Sequence, residues 1–247
     1  MAYLGAGVSR FTTADGLTVS GNATVSGNID VDGTTDLDGL TIAGNLSVDS
    51  GTIKLDGNYP TGTANVALGD QALDDGSLSG TYNTAIGHRS LTANTSGATN
   101  VSVGGDSMLA NTTGSNNTSV GVGAMVANTT GANNVAVGRQ ALDANTTASN
   151  NIAVGYQALT ANTTGTQNTA IGQNALDANT TGNYNIAVGA HVLGATTTGG
   201  GNTGIGKDAL ANNTTASNNT GVGYLALAAN TTGSENTAVG TYALDAN

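Results

Sequence analysis

Cysteine and tryptophan are absent from this chain, and phenylalanine and proline occur once each. Without thiols there is no disulfide framework, no thiolate-bound zinc and no cysteine nucleophile. A single Phe excludes an aromatic core. Cations are almost as scarce: Arg10, Lys54, Arg89, Arg139 and Lys207 face 16 acidic residues, for a net charge of −11. A nucleic-acid partner needs a basic footprint, and this composition offers none. The same charge repels an anionic membrane surface. No apolar run reaches the ~18 residues of a membrane-spanning helix, so membrane insertion is not expected. The opening residues, MAYLGAGVSRFTTADG, show no basic leader followed by an apolar stretch and so do not read as a secretory signal.

What the chain has instead is glycine, 38 of 247 residues, with Thr, Asn, Ser, Val and Ala. That composition favours short strands joined by turns. Its arrangement is periodic. Gly69, Gly87, Gly104, Gly121, Gly138, Gly155, Gly172, Gly189, Gly206, Gly223 and Gly240 are separated once by 18 residues and then nine times by 17. Four residues before each stands an asparagine, from Asn65 to Asn236. One residue before stands Val, Ile or Leu, and four after stands Leu or Met. Self-similarity at such a period marks a stack of identical supersecondary units.

Four regions follow from the rhythm. Residues 1–16 carry no repeat and hold Tyr3, Leu4 and Phe11, the larger apolar side chains near the start; we read them as a segment that docks on a partner. Residues 17–57 repeat in hexads, with Val19, Val25, Val31 and Leu37 six apart and Gly21, Gly27, Gly33 and Gly39 two after each. Such a pattern suits a thin β shaft. Residues 58–64, with Pro60, form the linker. Residues 65–247 form the 17-residue repeat region.

Within one repeat, Asn-Thr-Ala-Val-Gly reads as a strand whose first and last apolar positions share a face. The residue between them is Ala, Ser or Gly throughout, which we take as a face closely approached by another chain. Ala-Leu after the glycine reads as a second short strand. Asn-Thr-Thr-Gly reads as the closing turn, with Asn and Gly supplying positive φ. One repeat is then one coil of an all-β solenoid, a β-roll with coils ~4.8 Å apart. One coil buries a single Leu and a Val, too little to offset the ordering of its backbone. Burial between chains would make up the difference, so a parallel homotrimeric fibre is expected, with a monomeric solenoid as the alternative. The last repeat stops at Asn247, before its usual Thr-Thr-Gly, which suggests a longer polypeptide.

The repeat Asn-Thr-Ala-Val-Gly-x-x-Ala-Leu-x-x-Asn-Thr-Thr-Gly resembles repeats of phage tail fibres and related bacterial surface fibres, often found upstream of a chaperone-of-endosialidase tip. It is also similar to the head repeats of trimeric autotransporter adhesins, where a shorter unit forms a parallel β-roll in a trimer. The resemblance covers residues 65–247. The hexads, Leu17-Thr-Val-Ser-Gly-Asn-Ala-Thr-Val-Ser-Gly-Asn, resemble the N-terminal part of fibres from marine tailed phages, which attaches to the virion. The implied role is a structural fibre of the virion tail, made in the host cytoplasm. Its N-terminus would bind tail adaptor or nozzle proteins, and a C-terminal tip would bind the host-cell receptor. A bacterial trimeric adhesin head and a phage head fibre are the alternatives.

Candidate chemistry is sparse, and neither catalysis nor a cofactor or metal is expected. Gly201-Asn-Thr-Gly-Ile-Gly206-Lys207-Asp208 approaches a phosphate-binding loop, but Asp208 stands where Ser or Thr must hold magnesium. Asp30, Asp32, Asp36 and Asp38 form the densest acidic run, without the glycine and glutamate spacing of a calcium loop. His88 and His191 lie about six coils, or ~29 Å, apart and cannot share a metal within one chain. Asn-x-Thr triplets such as Asn145-Thr-Thr are generated by the turn. The position pair after the strand glycine varies most. It holds His88, Arg89, Arg139, Tyr156, Lys207 and Tyr224, and reads as an exposed column able to contact a host surface.

Overall fold

A computed structural model of the protein describes residues 64–245. The hexad region, Asp30 to Asp38 and the docking residues Tyr3, Leu4 and Phe11 lie outside the described residues. Eleven three-residue strands follow one another: β1 (Val66–Leu68), β2 (Thr84–Ile86), β3 (Val101–Val103), β4 (Thr118–Val120), β5 (Val135–Val137), β6 (Ile152–Val154), β7 (Thr169–Ile171), β8 (Ile186–Val188), β9 (Thr203–Ile205), β10 (Thr220–Val222) and β11 (Thr237–Val239). Each pairs in parallel with the next in sequence, giving one sheet in the order β1 to β11. The register never slips: Ala136 lies beside Ala153, and Ala153 beside Ala170. The chain is a β-solenoid, and ten steps of ~4.8 Å make a rod about 48 Å long.

Strand alternation decides what each column does. The small middle residue points inward: Ala136, Ala153, Ala170 and Ala187 are fully buried. This corrects the expectation that the small column lets another chain approach. Its smallness makes room for the coil's own Leu or Met (Leu142, Leu159, Leu176), which fills the interior at 0% exposure. The flanking Val, Ile and Thr point out, and Ile152, Ile171, Ile186 and Ile205 are 40–42% exposed.

The expected second strand over Ala-Leu is not formed. Those residues lie in a turn, with Leu142 at φ 53°, Leu159 at 54° and Met125 at 52°. Every coil repeats this left-handed Leu or Met, and its amide still reaches the next coil, as in Leu142 N to Ala158 O at 3.0 Å. A β-branched side chain is a steric outlier at positive φ. That explains why a chain rich in Val and Ile never places either there. The turn glycine also differs from expectation. Gly131 and Gly165 do not have positive φ; a Cβ on Gly165 would collide with the Asn162 side chain and the Gly182 carbonyl. Positive φ falls instead on the residue before the strand asparagine (Asn133, Asn150, Gln167), on the second residue after the strand glycine (Gln140, Gln157) and on that glycine. Gly155 has φ 140°, and a Cβ there would stand 2.6 Å from the Gly172 carbonyl carbon.

Two buried asparagine ladders complete the interior. In the first, Asn134 Oδ1 accepts from the Asn151 amide of the next coil at 2.9 Å, and Asn134 Nδ2 donates to the Ala148 carbonyl at 2.9 Å. In the second, Asn145 Nδ2 donates to Asn128 Oδ1 of the preceding coil at 2.8 Å and to Ala148 O at 3.1 Å. In this coil one turn carbonyl is thus gripped by two amides, an arrangement that recurs at Gly114, Gly131, Gly165 and Gly182. A buried amide left without partners costs ~1–3 kcal/mol, so the ladders hold the coil closed and in step.

The left-handed column can be tested by shape at constant polarity. Leu159→Met should lower unfolding stability by less than ~1.5 kcal/mol, because the volume is kept. Leu159→Ile should lower it by roughly 2–4 kcal/mol, because branching at Cβ adds backbone strain. Chemical denaturation of both variants checks this. Equal losses would show that volume alone governs the position.

Candidate functional site

The strand glycine ends each strand with a sharp change of direction, which swings the next residue clear of the coil. His88, Arg139, Tyr156, Lys207 and Tyr224 are accordingly exposed, and Arg89 is half-buried. The variable pair therefore does form a column along the rod. It does not form one site. Its members interact in short vertical sets that cross one or two joints.

Arg89 Nε and its terminal nitrogen both lie 2.8 Å from Asp106 Oδ1 on the next coil. His88 lies 3.7 Å from Asp70. Arg139 stands over the Tyr156 ring at 5.8 Å, and Gln157 donates to Gln140 at 3.2 Å beside it. Lys207 stands over the Tyr224 ring at 5.5 Å, and Tyr224 meets Tyr242 edge to face at 5.4 Å. The Lys207 ammonium also contacts Asp208 at 2.8 Å, and that hydrogen bond raises the lysine pKa. Such contacts at exposed sites contribute little to stability, because water and salt screen them.

The near phosphate-loop stretch is not one. Gly206 ends strand β9, and Lys207 and Asp208 sit in the turn that follows, with no helix. His88 and His191 occupy separate coils, and among the described residues no group of three His, Asp or Glu side chains could hold a metal ion. Asn94 of the Asn-Thr-Ser turn and Asn111, Asn128, Asn145, Asn162 and Asn179 of the Asn-Thr-Thr turns are fully buried, whereas Asn116, Asn212 and Asn218, which also begin Asn-x-Thr triplets, are exposed.

Sequence reasoning missed the asparagine ladders and buried hydroxyl relays. Ser90 Oγ donates to Ser102 Oγ at 2.8 Å, and Ser107 Oγ to Ser119 Oγ at 2.8 Å. Both pairs replace Ala against Ala elsewhere in the stack. The signal was present, since Ser fills the inward column only where Ser also fills the neighbouring position that meets it. A second exchange is by size: Val192 takes an Ala place, and Gly204 lies opposite, where a Cβ would collide with Val192 Cγ1.

If the variable column is surface rather than support, Arg89→Ala, Arg139→Ala and Tyr156→Ala should each change unfolding stability by no more than ~1 kcal/mol. Denaturation curves check this, and a loss above ~2 kcal/mol would make the column part of the fold's support. No protein-family model, curated protein or solved structure matches this chain.

Proposed function

We propose that this chain is a structural fibre component of a tailed phage, assembled as a parallel homotrimer. Its repeats act as a rigid spacer that holds a receptor-binding tip away from the virion, and its N-terminal segment docks on the tail. The observation that carries the spacer reading is the unbroken register. Eleven strands repeat one coil without a change of direction, so the cross-section is constant along the rod. A constant cross-section and continuous hydrogen-bond ladders resist bending and transmit load along the axis.

The homotrimer is supported by the outer sheet face. Parallel sheets are normally covered on both faces. Here the inner face is covered by the coil itself, while Val and Ile side chains stand along the outer one. Leu68, Ile86, Val120, Val137, Ile171, Ile205 and Val239 make an apolar column of 36–71% exposure. A contiguous apolar strip marks an interaction surface. A second copy of this chain has the same axial period, so contacts made at one coil recur at every other.

Light scattering tests the assembly. The purified chain should have three times the chain mass. Val137→Lys with Ile171→Lys, both on the outer face, should give folded monomers. A monomeric native chain would refute the trimer. Gold-labelled antibody against the repeat, viewed on source material by electron microscopy, tests the role. Label along tail appendages is the expected result. Label at capsid vertices would move the fibre to the head, and label on a bacterial envelope would make it an adhesin.

A further inference from the structure

One joint in the stack lacks bonds that its neighbours make. The second asparagine ladder runs from Asn94 through Asn111, Asn128, Asn145 and Asn162 to Asn179, each Nδ2 donating to the preceding Oδ1 at 2.8–3.1 Å. In the next coil the place is taken by Thr196. Its single hydroxyl proton goes forward, to Asn213 O at 2.9 Å. None is left for the coil behind. Asn179 Oδ1 is consequently the one buried side-chain polar atom without a hydrogen-bond partner among the described residues.

The backbone is incomplete at the same joint. Ala144 donates to Thr160 O, Ala161 to Asp177 O and Ala195 to Ala211 O, at 3.0–3.2 Å. Ala178 makes no counterpart bond to Gly194 among the described contacts. Lacking the ladder asparagine, this coil also loses half the grip on its turn carbonyl. Gly199 O accepts from Asn185 Nδ2 at 2.9 Å, whereas Gly182 O accepts from both Asn168 and Asn179. The coil then continues through Gly199, Gly200 and Gly201 into β9, whose inward residue is Gly204. Consecutive glycines lose the most backbone freedom on ordering and regain it on release.

We infer that the joint between the coils of residues 169–185 and 186–202 is a built-in release point, where the solenoid opens before any other interior joint. In a linear array each joint is held only by its two neighbours, so bonds missing at one place are not shared along the rod. The stack is thereby divided into two units, one carried by the ladder ending at Asn179 and one by the ladder from Asn213 to Asn230. Heating or axial load separates them here. The inference does not depend on what the fibre carries.

Hydrogen exchange on the intact native chain, read by mass spectrometry, is the test. Leu176, Thr180 and Thr181 donate across this joint, to Val192 O and Thr197 O. Their amides should exchange about tenfold or more faster than Leu142, Leu159 and Thr163, the equivalent donors of earlier joints. Thr196→Asn would supply the donor for Asn179 Oδ1 and an amide oxygen for Asn213 Nδ2, in place of the Thr196 hydroxyl it reaches at 3.4 Å. It should slow the three joint amides by about tenfold and leave Leu142 unchanged. Equal protection across the interior joints, faster exchange at another of them, or a Thr196→Asn effect that is nil or uniform would overturn the inference. Should that variant fail to fold, the native profile alone decides.

Discussion

The turn carbonyl held by two asparagine amides is the constraint on which the other features rest. An amide side chain inside a protein must find a partner for each donor and acceptor. Here those of Asn134 are found in the coil's own turn and in the backbone of the coil above. The bond to the turn closes the loop, and the bond to the next coil sets its height. Neither works alone. A slip of one residue between coils would put an Ala or Thr where the next side-chain rung of the second ladder stands and leave an amide oxygen without its donor. The ladders therefore forbid small register errors far more strongly than a hydrophobic stack would, since Leu on Ala tolerates sliding.

A slip by one whole coil is a different matter, because most coils offer the same asparagines. What distinguishes coils is the handful of matched exceptions in the small inward columns. Ser90 finds Ser102 and Ser107 finds Ser119, while Val192 is seated against Gly204. Displaced by one coil toward β1, Ser90 would face the Ala85 methyl group and Val192 the Cβ of Ala187; displaced the other way, Ser107 would face the Ala136 methyl group. Repetition lets folding propagate from any point. These pairs give the repeat stack local identity.

Much of the architecture was legible in the sequence. The period, the number of coils and the all-β character follow from the glycine register. The inside of the coil was less so, for two reasons. The strand pattern Val-Ala-Val admits either assignment of faces, and hydrophobicity favoured Val inward. The structure chooses Ala, because the interior is already filled by Leu and has space for little more than a methyl group. Ala-Leu was taken for a strand because it is apolar and the coil needed a second side. The restriction of that column to Leu and Met, in a chain where strands use Val, Ile and Thr, was the available sign of positive φ. The asparagines were visible in every repeat but were read as turn formers. Their burial depends on a neighbour 17 residues away, which no local propensity describes.

The two sides of the sheet now stand in different relations to the chain. Inside, the columns are matched within the molecule, down to the Val192 and Gly204 exchange, with Asn179 Oδ1 the exception. Outside, Val, Ile and Thr follow one another with no partner of their own. Thr is as good a strand former as Val and is better suited to water. At the first outward position six of the eleven coils have Thr and five have Val or Ile. At the second, every coil has Val, Ile or Leu. Strand propensity alone would not keep one outward column uniformly aliphatic while leaving the other free. A surface that must be dry would do so, and it would require the dry strip to lie beside the strand glycine rather than beside the buried asparagine. The variable column begins immediately beyond that glycine. Assembly along the second outward column would leave His88, Arg139, Tyr156, Lys207 and Tyr224 at the rim, where polar and aromatic side chains of mixed charge are tolerated.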